Sequence, residues 1–213
     1  MQASIYTVYG PPEVLKVLKT ERPVPQNHEV LIRVHAATVN RTDCAMLRAK
    51  PFIMRFFTGL FNPKNHILGT DFAGVVAKVG EDVTAFKPGD KVFGFEDTGL
   101  SSHAEFMCIN QAKAIAIIPD NLSFEEAAAS LEGSHYALNM INKVDHLKDK
   151  NVLINGATGA IGSAAVQLSK FYGANITAVC NTKNIELVES LGANTIIDFS
   201  QEDFTQIDTK FHY

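Results

Sequence analysis

No disulfide framework can be drawn on this chain. Its 213 residues include three cysteines, Cys44, Cys108 and Cys180, an odd number at no framework spacing. Such usage suits free thiols in a reducing compartment, and the expected location is cytoplasmic. A membrane span is missing as well, because no apolar run approaches the roughly 20 residues one needs. The opening residues, MQASIYTVYGPPEV, have no basic segment followed by an apolar one and so do not read as a secretory leader. Positive charge is not in excess: the formal net charge is −4, which argues against nucleic acid or an anionic membrane as partner. Hydrophobic residues at 46% and charged residues at 20% lie near the soluble average, so a disordered chain is not expected. The length allows one large domain or two modest ones.

What is present divides in two by texture. Up to about residue 118 the chain reads as short β segments separated by turn residues: Ile5–Val8, Val14–Lys19, Val30–Thr38, Ala73–Val79, Lys91–Phe95, Ala104–Ile109 and Ala114–Ile118. That spacing suggests a barrel-like β domain interrupted by one helix near Arg41–Ala49. Beyond it, Ser123 followed by Glu126 is a capping-box signature opening an Ala-rich helix towards Lys143. Asn151–Asn155 is a nearly continuous apolar strand, Ala160–Tyr172 has one apolar helical face, and Gly173 stops it. A strand at Ile176–Val179, a helix at Asn184–Leu191 and a strand at Thr195–Phe199 complete a β-α-β-α-β order, which implies a parallel sheet. The expected domains are 1–121 and 122–213.

The sequence VLINGATGAIGSAAVQL sets Gly156, Gly159 and Gly162 between a buried strand and a helix. One glycine permits the tight turn, one admits a pyrophosphate to the backbone, and one lets helix and strand pack closely. Free amides at the helix start then receive the phosphates. Three glycines alone are weak evidence, but here strand, helix and a second βα unit surround them. The expected contacts of a nicotinamide dinucleotide are Gly156, Ala157, Thr158, Gly159, Ala160, Ile161 and Gly162. NAD users place an acid at the end of the second strand to hold the ribose. This chain has Cys180, Asn181, Thr182 and Lys183 there. A hydroxyl, an amide and a lysine would accept a 2′-phosphate that a carboxylate would repel, so NADP(H) is expected, with Lys183 as charge partner. The bland alternative makes Lys183 a solvated residue of the first helical turn.

The stretches PPEVL, EVLIRVHAATVNRTD, ILGTDFAGVVAKVGEDVTAFKPGDKVFGF, IPDNLSFEEAAA, VLINGATGAIGSAAVQLSK and LGANTIIDF resemble the medium-chain dehydrogenase/reductase family, in its zinc-independent quinone oxidoreductase (zeta-crystallin-like) branch. The resemblance runs from end to end. It implies an α/β plus β architecture: an N-terminal GroES-like β-barrel domain followed by a partial Rossmann domain, a doubly wound parallel sheet. It also implies where zinc would sit. Zinc-bearing relatives have a cysteine where this chain has Asn40, and a His-Glu pair where it has Thr70 and Asp71. Asn40 and Thr70 offer neither thiolate nor imidazole. The third ligand position falls near Glu132–His135, which holds no cysteine, and the family's four-cysteine lobe is absent. His66 and His103 lack partners at ligand spacing. No metal is expected.

Without a Lewis acid, a carbonyl must be polarised by hydrogen-bond donors, and the acceptor must already be electron-poor. The expected reaction is hydride transfer from NADPH to a quinone or an α,β-unsaturated carbonyl. A zinc-free alcohol or aldehyde reductase and a non-catalytic NADP(H)-binding module are the alternatives. Asn40 is the candidate beside nicotinamide and substrate, by its match to the family's active-site strand end; equally, it could be a polar strand terminus bonding the local backbone. Asp43 reads as a first-turn helix residue, and Asp71 as an acid fixing a turn between the domains. Tyr6, Tyr9 and Tyr136 are candidate proton donors that sequence cannot rank. Pro51–Phe61, with four phenylalanines, reads as a helix packed on the barrel or, alternatively, a wall over the substrate. Family members exceed about 300 residues, and their dimers use a last Rossmann strand that this chain lacks. A shortened chain is therefore expected, with strand 1 of the Rossmann order 3-2-1-4-5-6 left at an edge, KFHY beginning a fourth strand, and weak cofactor binding.

Overall fold

Side-chain alternation shapes the first half of the chain. In Glu29–Ala36, Val30 and Ile32 are fully buried while Arg33 and His35 face outward. The computed structural model describes residues 1–96 and 101–213. They form two units, Met1–Leu131 and Glu132–Tyr213.

The first unit contains β1 (Gln2–Ile5), β2 (Lys16–Lys19), β3 (Glu29–Ala36), β4 (Asp71–Val79), β5 (Lys91–Phe95), β6 (Phe106–Asn110) and β7 (Ile115–Ile117). β1 and β2 pair antiparallel, and the other five make an antiparallel sheet in the order β6-β3-β4-β5-β7. Helices α1 (Arg41–Arg48) and α2 (Met54–Thr58) interrupt it between β3 and β4. Val30, Ile32, Phe72, Val76, Val92, Met107 and Ile109 fill its core. The first strand lies earlier than the expected Ile5–Val8. Its register, Gln2 opposite Lys19 and Ile5 opposite Lys16, is set by β2, a contact too distant in sequence for local patterning to reveal.

Helix α3 (Phe124–Ala129) opens at the anticipated capping box, with Ser123 accepting from the Glu126 amide and Glu126 accepting from the Ser123 amide. Ser123→Ala is expected to lower the unfolding free energy by about 1 kcal/mol, read as a shifted denaturation midpoint. The helix does not continue to Lys143. It breaks at Ser130, whose hydroxyl bonds back to the Ala127 carbonyl at 2.9 Å, and α4 (Leu131–Ile141) follows. Ala127 and Ala128 are buried with Ala73 of β4 and Ile118, which follows β7. For that reason α3 packs with the first unit, which runs to Leu131.

In the second unit β8 (Asn151–Asn155), α5 (Ala160–Phe171), β9 (Asn175–Cys180), α6 (Ile185–Ser190) and β10 (Thr195–Asp198) alternate. The strands are parallel in the order β10-β9-β8, the 3-2-1 half of a doubly wound sheet. Val152, Ile154, Ala157, Val166, Ile176, Ala178 and Val188 pack together inside it. The free side of β8 is not bare: the His212 amide donates to the Asn151 carbonyl at 2.8 Å, and the Leu153 amide to the Tyr213 carbonyl at 2.9 Å. The final residues thus lie where strand 4 of the order would begin.

Candidate functional site

At the end of β8 the chain turns through Gly156, whose φ of +75° is a left-handed conformation natural to glycine. A Cβ there would meet no atom within 4 Å, so the turn looks onto open space. Ala157 is fully buried, and its amide is anchored on the Val179 carbonyl of β9 at 3.2 Å. Gly159 caps α5 in extended backbone and offers no side chain to its first turn. The amides of Ala160, Ile161 and Gly162 accordingly find no acceptor among the described residues. Gly162 is required for packing: a Cβ would lie 2.1 Å from the Gly156 carbonyl oxygen and 2.9 Å from the Ala157 Cα. Thr158 to Ile161 are exposed. A helix start with unspent amides and its positive dipole end, facing open space, fits a diphosphate. Helix α4 approaches the same turn, where a Cβ on Gly133 would stand 2.4 Å from the Ala160 carbonyl oxygen.

Strand β9 runs parallel to β8, so Asn181, Thr182 and Lys183 emerge at the same sheet edge as the glycine loop. Lys183 is exposed and forms no ion pair among the described residues. Asn181 Oδ1 accepts from Asn184 Nδ2 at 2.6 Å, which leaves the Asn181 amide nitrogen free to donate. Thr182 differs from expectation, because its hydroxyl donates to Asp198 at the end of β10. That bond, joined by the Ser200 amide at 2.9 Å, holds the Asp198 carboxyl below its ordinary range. Asp198 is the acid that the sequence reading missed. The only trace of it was an aspartate closing the third apolar strand.

A second polar group gathers in the first unit around Asn40, Thr70 and Asp71, the positions at which the resemblance would set a zinc ion. Asn40 is the N-cap of α1 and forms a capping box with Asp43: its Oδ1 accepts from the Asp43 amide, and its own amide donates to Asp43 Oδ2, both at 3.0 Å. Its Nδ2 donates to Thr70 Oγ1 at 2.6 Å. Asp43 is buried, accepts from the Gly69 amide at 2.9 Å, and lies 3.8 Å from His103 Nε2, which donates to the Thr38 carbonyl at 2.8 Å. Burial outweighs these bonds and raises the Asp43 carboxyl above its usual range. Asp71 accepts from the Thr38 amide and hydroxyl; it fixes the segment entering α1, within the first unit, not a turn between units. The cluster is satisfied by its own members. Asn40 and Thr70, bonded to each other, offer neither a thiolate nor an imidazole to a zinc ion. Among the described residues no group of three or more His, Cys, Asp or Glu could hold a metal.

Burial pushes the Tyr6 phenol up to about 12, a poor proton donor at neutral pH. The Tyr9 hydroxyl is engaged with Thr58 Oγ1 and the Gly59 carbonyl. The run Pro51–Phe61 is not packed on the sheet as expected: Phe52, Phe56, Phe57 and Phe61 are 65%, 67%, 74% and 81% exposed. A helix of only five residues, α2, cannot turn one continuous apolar face inward.

These features define a class of protein: a GroES-like unit followed by a partial Rossmann unit whose glycine loop faces open space. Residues 26–120 match the family described as alcohol dehydrogenase GroES-like domain. The chain is 35% identical over 99% of its length to 2-methylene-furan-3-one reductase of Solanum lycopersicum, and 33% identical over 99% to the NADPH-dependent alkenal/one oxidoreductase of Arabidopsis thaliana. It spans 55% of each, about half their length. A solved quinone oxidoreductase from Coxiella burnetii superposes with a TM-score of 0.88 at 30% identity, covering 99% of this chain and 66% of that one. The chain belongs to the medium-chain dehydrogenase/reductase family, among its quinone oxidoreductase-like members.

Proposed function

We propose that this chain is the GroES-like and cofactor-holding portion of an NADPH-dependent oxidoreductase that passes hydride to quinones or α,β-unsaturated carbonyls without zinc. The observation that carries the proposal is the set of unspent amides at Ala160–Gly162, sharing a sheet edge with the unpaired Lys183. When bound, the nicotinamide supplies the hydride. Gly156, Ala157, Thr158, Gly159, Ala160, Ile161 and Gly162 cradle the diphosphate. Asn181 Nδ2 and Lys183 Nζ hold the 2′-phosphate, while Thr182 is spent on Asp198 and shapes the pocket rather than filling it. Asn40 keeps a second hydrogen on Nδ2 beyond its bond to Thr70, and that hydrogen is the donor available to an acceptor oxygen. The capping box and the Thr70 bond fix its direction, as a polarising group requires. The names of the matched reductases support this substrate class, and free thiols suit a cytoplasmic setting.

Fluorescence titration with NADPH and NADH tests the cofactor half. NADPH is expected to bind at least about tenfold more tightly, and Lys183→Ala to remove most of that preference, since one charge-assisted contact is worth about 1.5–3 kcal/mol. Equal affinities, or a preference that survives Lys183→Ala, would overturn the NADP assignment. Acceptor-dependent loss of NADPH absorbance with quinone, enone, ketone and aldehyde panels tests the chemistry, and preference for the last two would point to an alcohol or aldehyde reductase. Binding without acceptor-dependent turnover would instead establish a non-catalytic NADP(H)-binding module.

A further inference from the structure

The segment from Arg48 to Lys64, RAKPFIMRFFTGLFNPK, carries four basic residues and no acid in a chain whose net charge is −4. It also displays six large apolar side chains, Phe52, Ile53, Phe56, Phe57, Leu60 and Phe61, at exposures from 46% to 81%. Tyr9 and Arg55 tie the segment down. The Tyr9 hydroxyl donates to the Gly59 carbonyl at 2.7 Å, the Arg55 guanidinium lies 4.9 Å from the Tyr9 ring centre, and Arg55 also donates to the Leu60 carbonyl at 3.2 Å. None of Arg48, Lys50, Arg55 and Lys64 pairs with a carboxylate among the described residues. Six exposed apolar side chains within ten residues, interspersed with unpaired cations, mark an interaction surface.

We propose that this face docks on an anionic lipid bilayer, its phenylalanines entering the headgroup–acyl boundary and its cations meeting lipid phosphates. Charge selects this occupant. A second copy seated on the same patch would bring the exposed Arg48, Lys50 and Lys64 against their own counterparts, whereas an anionic bilayer neutralises them. Among the described residues no helix is long and apolar enough to cross a membrane, so the contact is peripheral. The net charge of −4, which argued against an anionic membrane for the chain as a whole, gives way to the local basic cluster, because interactions beyond a Debye length of about 8 Å are screened at physiological salt.

Cosedimentation of the 213-residue chain with phosphatidylcholine vesicles, and with vesicles also containing phosphatidylglycerol, tests the proposal. Binding is expected to the anionic vesicles and to weaken as salt is raised. The double variant Lys50→Gln, Lys64→Gln should bind roughly 30-fold more weakly, the equivalent of about 1 kcal/mol per cation. Phe57→Ser with Phe61→Ser should lose binding while retaining the wild-type circular dichroism and melting temperature. Both pairs are exposed and outside the cofactor site, so NADPH titrations should not change. Vesicle binding that ignores lipid charge and salt would overturn the proposal, a test that needs no variant to fold. So would a dimer in sedimentation equilibrium that the phenylalanine variant dissociates.

Discussion

Gly162→Val is expected to destabilise the second unit by about 3 kcal/mol or more and to abolish NADPH binding, whereas Gly156→Ala should fold and yet bind NADPH at least about tenfold more weakly. The contrast follows from what a side chain meets at each position. At Gly162 the new atoms collide with the backbone of Gly156 and Ala157, which cannot rotate away, so α5 must lift from β8. At Gly156 the protein leaves room, and the cost inside the fold is only the strain of φ +75°, about 1–2 kcal/mol. What an alanine methyl takes there is the space assigned to the diphosphate. Thermal unfolding together with NADPH titration separates the two effects. A Gly156→Ala variant that binds NADPH as the wild type does would remove the loop from the cofactor site.

The second large effect belongs to Asp43. Asp43→Ala should lower the unfolding free energy by about 3–4 kcal/mol at neutral pH, because it strands the buried Gly69 amide and the Asn40 amide together. Asp43→Asn tests the electrostatic side. Both carboxyl oxygens accept from amides, so an asparagine NH2 would face a donor and destabilise as well. The dependence on pH has a definite sign. Burial raises the carboxyl above its unfolded value of 3.8, so between that value and the higher folded one the native state holds more protons than the unfolded state. Its contribution is complete below 3.8 and is lost as pH rises through the folded value. The variant does not titrate there, and its deficit relative to wild type should therefore narrow as pH rises through that window. Chemical denaturation of both proteins across the acid range measures this, and a deficit that widens would mean that the amide bonds, not burial, dominate the carboxyl.

Features carried by local chemistry were legible in the sequence. Asn151–Asn155 and Lys91–Phe95 fall where apolar patterning sets them, and the Ser123–Glu126 box forms as its spacing demands. The glycine loop was legible because each glycine answers a separate backbone requirement. Contacts between distant segments were not. The bond from Asn40 to Thr70 joins residues 30 apart, and the bond from Thr182 to Asp198 joins residues 16 apart across neighbouring strand ends. Composition gave no sign that Thr182 would be spent on an acid. The phenylalanine run was misread for a different reason. Hydrophobicity alone predicts burial, but burial needs a face, and five helical residues do not make one.

The close seating of Gly133 against Ala160 leaves α4 and the first turn of α5 no slack. A displacement of α4 by even a fraction of an ångström must drag the amides of Ala160 to Gly162 with it. Hydrogen exchange at those amides would then serve as a gauge of anything that pulls on α4, whether or not a nucleotide is bound.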